Sequence, residues 1–261
     1  MSMHTLRRLF VATIGLFVLL SGAIIMLLVA VVTLFQSRRF CSEVIARMMG
    51  KIAVRISGLT VLLTPEMAER LRQEDRSVIY IANHTDTVDL FVVISLGLPN
   101  TRYFLSGFLR KLLPLGLVGY LIGVFWTAPY SQPHKRLRIF QHADDTLRRT
   151  GDSVFLTPEG SRIRTGEIGH FNRGAFHLAT SLKRNIVPLY IHVPENVGAG
   201  MQLIAEPGPV YVQVLPEIDT SNWTLEDLDA NRMAVRQIYI DHHNRIRTNG
   251  IEASLAAESN G

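Results

Sequence analysis

Two short polar clusters in this chain carry residue types that can do acid–base and phosphate chemistry. The first is Asn83-His84-Thr85-Asp86-Thr87-Val88-Asp89, directly after the apolar run at residues 77–82 (SVIYIA). An imidazole with one nitrogen held by a carboxylate has a fixed tautomer, and its other nitrogen can accept a proton from an alcohol. Within one helix, a five-residue step would set His84 and Asp89 about 140° apart. They can face each other only if His84 precedes the helix and Asp89 lies in its first turn, with Thr85 or Asp86 as the N-cap. Asp86 is a rival partner and is expected to cap. Such a spacing is as common in caps and on surfaces as in catalysis, so alone it names no reaction.

The second cluster, Thr157-Pro158-Glu159-Gly160-Ser161-Arg162, follows the run at residues 153–156 (SVFL). Gly160 lets the backbone turn sharply beside a ligand. Arg162 offers a planar fork of donors suited to phosphate. Taken singly, this is a turn bearing an arginine.

The elements that must position these clusters alternate along the chain. Residues 77–82 read as a strand, 86–96 as a helix, 103–127 as mixed apolar structure and 135–150 as an amphipathic helix closed by Gly151. Strand 153–156, helix 174–182, and strands 186–192 and 210–215 follow. Thr224 caps the approach to a last helix through residues 233–247. This alternation predicts an α/β fold with a mixed, largely parallel sheet flanked by helices. The predicted domains are an N-terminal membrane helix with an interfacial helix (1–60), a catalytic body (61–247) and a frayed tail (248–261).

Residues 9–36 hold no charge and are dominated by Leu, Ile, Val and Phe, which accounts for a mean hydropathy of +0.20. As a helix the segment is roughly 40 Å long, enough to cross a hydrocarbon core with tilt. It is too long for a signal peptide and lacks a small-residue cleavage site. Arg7-Arg8 and Arg38-Arg39 flank it equally, and Ser21-Gly22 allows a bend, so a single span and a re-entrant hairpin both remain open. Beyond it, Val44, Met48, Met49, Ile52 and Ile56 recur at helical spacing, with Arg47, Lys51 and Arg55 on another stripe. That pattern suits an interfacial helix facing anionic headgroups, or one packed on the domain.

The two clusters together resemble the glycerolipid acyltransferase family, whose best-known bacterial members are 1-acyl-sn-glycerol-3-phosphate acyltransferases. The family's Asn-His-x4-Asp motif is matched by Asn83-His84 to Asp89. Its Phe-Pro-Glu-Gly-Thr-Arg motif is similar to residues 156–162, with Ser161 for Thr. Gly174-Ala175-Phe176 and Val187-Pro188 match later positions, and the likeness runs over residues 77–245 in the expected order.

The resemblance implies that His84 and Asp89 activate an acceptor hydroxyl for attack on an acyl thioester. It also implies that Glu159, Gly160, Ser161 and Arg162 hold the phosphorylated acceptor, 1-acylglycerol 3-phosphate. Acyl-CoA or acyl-carrier protein is the implied donor, with no metal or organic cofactor. The implied location is the cytoplasmic face of the inner membrane, on a bilayer with anionic headgroups. Where the family often carries a Lys between the motifs, and later an Arg, this chain reads Ser106-Gly107-Phe108 and Phe125-Trp126-Thr127-Ala128-Pro129. Arg110, Lys111, Lys135 and Arg136 are the candidate substitutes. The apolar run at residues 103–126, with Gly107, Gly116, Gly119 and Gly123, suits core packing first, with an acyl-chain groove as the alternative.

Other function classes fit less well. A serine hydrolase elbow needs Gly at positions 159 and 163, which are Glu159 and Ile163. The single Cys41 excludes an intrachain disulfide, and no histidine pair shows zinc-ligand spacing with a carboxylate. A net charge of +5 favours an anionic partner, but the cations lie beside an apolar segment rather than among stacking aromatics, which argues against nucleic acid. A non-catalytic membrane adaptor, with the basic helix on lipid and the α/β body on a partner, is disfavoured by the presence of both motifs.

Overall fold

A computed structural model describes residues 2–72, 76–163, 165–198 and 204–251. Helix α1 (Met3–Val32) is unbroken, with the Ser2 hydroxyl accepting from the Thr5 amide. It has no kink at Ser21-Gly22; instead Gly22 makes room for Met49, whose sulfur would lie 2.3 Å from a β-carbon there. Leu34 and Phe35 turn the chain with positive φ. The return runs through α2 (Arg38–Phe40), a π-helical turn (Cys41–Ala46) and α3 (Arg47–Ile56). The two helical arms are therefore antiparallel.

The sheet is built from β1 (Leu59–Leu62), β2 (Ile79–Ala82), β3 (Thr101–Ser106), β4 (Phe125–Thr127), β5 (Ser153–Leu156), β6 (Ile186–His192) and β7 (Gly208–Val214). Their order across it is β1-β7-β6-β2-β5-β3-β4. All neighbours are parallel except β6 and β7. Central strands buried on both faces require near-continuous apolar runs, and β2, β5 and β6 supply them. Pro188 is tolerated in β6 because pairing to β7 begins only at Leu189.

Helices connect the strands: α4 (Pro65–Leu71), α5 (Asp89–Leu96), α6 (Leu115–Leu121), α7 (Pro133–Thr150), α8 (Gly174–Leu182) and α9 (Leu228–Asn249). Two cores result. One lies between the sheet and the α1, α3, α5 and α6 side, centred on Met26, Val92 and Tyr103. The other lies under α7, α8 and α9, centred on Leu147, Phe176 and Tyr239. The expected mixed, largely parallel sheet flanked by helices is what forms. Thr224 caps less than expected: α9 starts at Leu228, and the Thr224 hydroxyl accepts from the Asp227 amide in the preceding turn. Of the predicted frayed tail, residues 252–261 lie outside the described residues.

The α3 arm resolves the two readings of its pattern. Its small-residue face packs on α5, where a β-carbon on Gly50 would sit 2.9 Å from the Ser95 amide nitrogen. Val44, Met48 and Ile52 form a separate, exposed apolar stripe, with Lys51 and Arg55 exposed nearby. Arg47 departs from its expected stripe: its chain is half-buried against Gly97. Most of α1 is exposed, including Phe10, Phe17, Ile24 and Leu28. Yet Arg7 reaches Glu206 and the Ser57 and Ala205 carbonyls, while Ala30 is buried at the far end. Arg7 and Ala30 are roughly 35 Å apart along the helix axis, so α1 lies along the flank of the domain.

Candidate active site

The register of β2 against β5 brings the two polar clusters side by side. Ile79 pairs with Val154 and Ile81 with Leu156. The same 75-residue offset continues past the strand ends: the Glu159 carboxylate accepts from the His84 amide at 2.6 Å, and Arg162 donates to the Thr87 hydroxyl. The Ile163 amide closes onto the His84 carbonyl at 2.8 Å. Both loops lie at the carboxyl ends of parallel strands, where open α/β sheets bind ligands.

Asn83 sets the angle at which the chain leaves β2. Its side-chain amide donates to the Ile191 carbonyl and accepts from the Ile191 amide, both at 2.8 Å, which locks the loop to β6. His84 then stands before α5, and Asp89 is the first residue of that helix. His84 Nδ1 lies 2.9 Å from Asp89 Oδ2. That oxygen also accepts from the amides of Thr85 and Asp86, each at 2.9 Å. Asp89 is only 3% exposed, so it is held by three donors with little competition from water.

Two details differ from the expected cap. The N-cap of α5 is Val88, which makes no side-chain cap. Asp86 serves one step earlier, accepting from the Val88 amide at 3.0 Å, and Asp89 itself satisfies the amides of the turn.

His84 and Asp89 open on a cleft of about 660 Å³. Its polar wall includes Thr87, Arg162, Arg136 and Asn172; Leu90, Phe104, Phe108 and Phe140 make it apolar elsewhere. Gly160 lines it with φ +69°, a region that an L-residue enters at a cost. A β-carbon there would also meet the Tyr130 hydroxyl at 2.3 Å. Ser161 is exposed and is not among the lining residues.

Glu159 is 3% exposed and does not present its carboxylate to the cleft as a free ligand. One oxygen takes the His84 amide and the other the Gly169 amide at 2.8 Å. Burial pushes its carboxyl up to about 7, against the opposing pull of those two amides. Its place is to brace the His84 loop rather than to touch a ligand directly.

Motif reasoning gave no role to Asn172 and left Arg136 as one of four candidate cations. Asn172 shares its amide group among the Tyr130 hydroxyl, the Pro158 carbonyl and the Glu159 carbonyl, fixing the second cluster. The Arg136 guanidinium lies 4.3 Å from the centre of the Tyr130 ring and donates to the Ala128 carbonyl at 3.0 Å. Of the four substitute cations, Arg136 alone lines this cleft, while Arg110 and Lys135 line another cavity.

The glycine series divides likewise. Gly107 lines the cleft, Gly116 and Gly123 belong to the other cavity, and Gly119 is packed under the Trp126 ring. The four glycines therefore share no groove, and the apolar wall of the cleft is built mainly by aromatic and leucine side chains.

Comparison with known proteins supplies an independent finding. Residues 63–192 match the family model described as Acyltransferase. The chain is 24% identical over 202 residues to a 1-acyl-sn-glycerol-3-phosphate acyltransferase of Limnanthes douglasii, covering 71% of this chain and 66% of that one. It is 28% identical to the Homo sapiens 1-acyl-sn-glycerol-3-phosphate acyltransferase beta, covering 74% and 66%. The match thus spans just under two thirds of these relatives' length. The crystal structure of a 1-acyl-sn-glycerophosphate acyltransferase from Thermotoga maritima shares the fold, with a TM-score of 0.66 at 16% identity over 90% of this chain and 97% of that one.

Proposed function

We propose that this chain, which matches the Acyltransferase family model over residues 63–192, transfers a fatty acyl group from a thioester to the sn-2 hydroxyl of 1-acylglycerol 3-phosphate, giving phosphatidic acid. The observation that carries this reading is the His84 Nδ1 contact to Asp89 at 2.9 Å within the cleft.

In this reaction the acceptor oxygen bonds to the thioester carbonyl carbon while His84 Nε2 takes the hydroxyl proton. Asp89 holds the imidazolium that forms. Collapse of the tetrahedral oxyanion breaks the carbon–sulfur bond, and the departing thiolate takes the proton back from His84. The protein forms no covalent bond to the acyl group. Arg162 meets the acceptor phosphate, with Arg136 as a second cation on the same wall. The apolar wall formed by Leu90, Phe104, Phe108 and Phe140 receives acyl chain. Acyl-CoA and acyl-carrier protein both provide the required activated thioester, so no metal or organic cofactor enters the scheme.

The site works at a membrane surface. Arg7-Arg8 and Arg38 both contact the catalytic body, so the two ends of α1 stay on one side of the bilayer. Exposed apolar faces of α1 and α3 enter the lipid, and Lys51 and Arg55 meet anionic headgroups. We place the catalytic domain on the cytoplasmic face of the inner membrane.

An acceptor panel of lysophospholipids with both donors, reading free thiol release, tests the proposal. Release that requires 1-acylglycerol 3-phosphate and vanishes in His84→Ala supports it. Release that ignores the acceptor, or transfer that survives His84→Ala, overturns it.

A further inference from the structure

A second cavity of about 730 Å³ lies beside the edge strand β4 and shares no lining residue with the catalytic cleft. Helix α7 separates the two. Arg136 and Phe140, four residues apart, face the cleft, whereas Lys135, Arg138, Ile139 and His142 line the second cavity from another face.

Its charge is one-sided. Arg38, Arg102, Arg110, Lys135 and Arg138 line it, and no carboxylate does. Asp152 stands behind Arg38 and Arg102, accepting from each at 2.6 Å, so one acidic group serves two guanidiniums. Among the described residues, Arg110, Lys135 and Arg138 have no ion pair. Arg38 Nη1 is buried with no hydrogen-bond partner. An unpaired buried donor on a cation is costly unless something anionic meets it.

The cavity is built around those guanidiniums. Gly123 has φ +76°, and a β-carbon there would lie 2.4 Å from Arg102 Nη1 and 3.0 Å from Arg38 Cδ. The bare backbone is what lets the two arginines converge. On its other side the cavity is apolar, with Ala30, Phe35 and Tyr120 continuing into the exposed face at the end of α1. A charged floor next to a membrane-facing wall fits an amphiphile rather than a small ion.

From this arrangement we infer that the β4-edge cavity is a second binding site, distinct from the catalytic cleft, that takes the phosphate headgroup of an anionic phospholipid. The phosphate meets Arg38 and Arg102, supported by Arg110, Lys135 and Arg138. The first part of an acyl chain lies against Ala30, Phe35 and Tyr120. Binding here does not depend on which reaction the other cleft performs.

The full-length protein in detergent is mixed with phosphatidylcholine vesicles with or without phosphatidylglycerol, and binding is measured by flotation. Each cation near an anionic surface contributes about fivefold to affinity. The Arg110→Gln/Lys135→Gln/Arg138→Gln variant should lose about a hundredfold in affinity for phosphatidylglycerol vesicles and little for phosphatidylcholine alone. Gly123→Ala, which changes no charge, should also weaken binding selectively while retaining its thermal transition. The Lys51→Gln/Arg55→Gln variant controls for general surface attraction: it should lose about twenty-fivefold in vesicle binding but keep the protection by soluble short-chain phosphatidylglycerol that the triple variant loses.

A thermal-shift arm with inorganic phosphate and with soluble short-chain phosphatidylglycerol identifies the source. Protection by the lipid alone, lost in the triple variant, supports the inference. Equal protection by inorganic phosphate overturns the lipid assignment in favour of a free-phosphate site. Should Gly123→Ala not fold, the triple variant decides alone. Wild-type binding by that variant overturns the site.

Discussion

Replacing Asp89 with Asn tests the carboxylate's part in the proposed transfer with the least change in shape. An asparagine oxygen in the place of Oδ2 keeps an acceptor for His84 Nδ1 and for the amides of Thr85 and Asp86. The geometry therefore holds, and what is lost is the charge facing the imidazolium. Opposite unit charges about 4 Å apart attract by roughly 4 kcal/mol at an effective dielectric of about 20. His84 is 25% exposed, so solvent screening reduces this to about 3 kcal/mol. At about 1.4 kcal/mol per decade, kcat should fall by about two orders of magnitude. KM for the acceptor should stay within about threefold, since Asp89 does not touch it in this scheme. Steady-state thiol release across acceptor concentrations reads both constants. The His84→Ala/Asp89→Asn double variant should be little worse than His84→Ala, because the two act as a unit. A single Asp89→Asn variant retaining more than about a third of kcat would refute the reasoning. So would a loss carried wholly by KM.

Arg162→Lys keeps the charge but loses the planar fork, so KM for the phosphorylated acceptor should rise about tenfold with a smaller change in kcat. Ser161→Ala should retain most activity under direct transfer; near-complete loss, with acyl–serine detected by mass spectrometry, would revive a hydrolase mechanism. Gly160→Ala places a β-carbon against the Tyr130 hydroxyl at a positive φ and should cost about 1–3 kcal/mol in denaturant unfolding. Adding Tyr130→Phe should recover part of it. Glu159 takes up its proton more readily folded than unfolded, so its contribution to stability is complete below about pH 4.5 and is lost as pH rises through about 7. Relative to Glu159→Gln, wild-type stability should therefore fall across that window by on the order of 3 kcal/mol, and a constant difference would contradict the raised value.

The legible parts of the fold were those whose burial leaves a simple trace. β5, α8 and β6 coincide with their expected limits because each is a compact apolar run between turn residues. β3 and β4 were hidden inside one apolar stretch. Both give side chains to the two cores, Tyr103 and Trp126 to one and Phe104 and Phe125 to the other, and burial on both faces erases the alternation that would mark separate strands. The second residue of β3 is charged, and Arg102 is acceptable there because Asp152 faces it. β1 is a four-residue edge strand, too short for its alternation to stand out between Gly58 and Thr64-Pro65.

The site divides in the same way. His84 beside Asp89 was readable because a local turn decides it. The bracing of His84 by Glu159 was not, since it depends on how β2 and β5 align. The inward turn of Arg38 toward Asp152 was equally hidden: beside an apolar segment, an arginine pair reads as a topology flank.

The shared offset of β2 and β5 also restricts how this chain can change length. Deleting a single residue between Ala82 and His84, or between Leu156 and Glu159, would slide one loop past the other and separate partners that now stand opposite. The stretch from α5 through α7 carries constraints of its own, because it holds β3 and β4 in register beside β5 and supplies Asp89, Tyr130 and Arg136 to the cleft. Changes of length are therefore intolerable at the few positions where the two loops leave their strands.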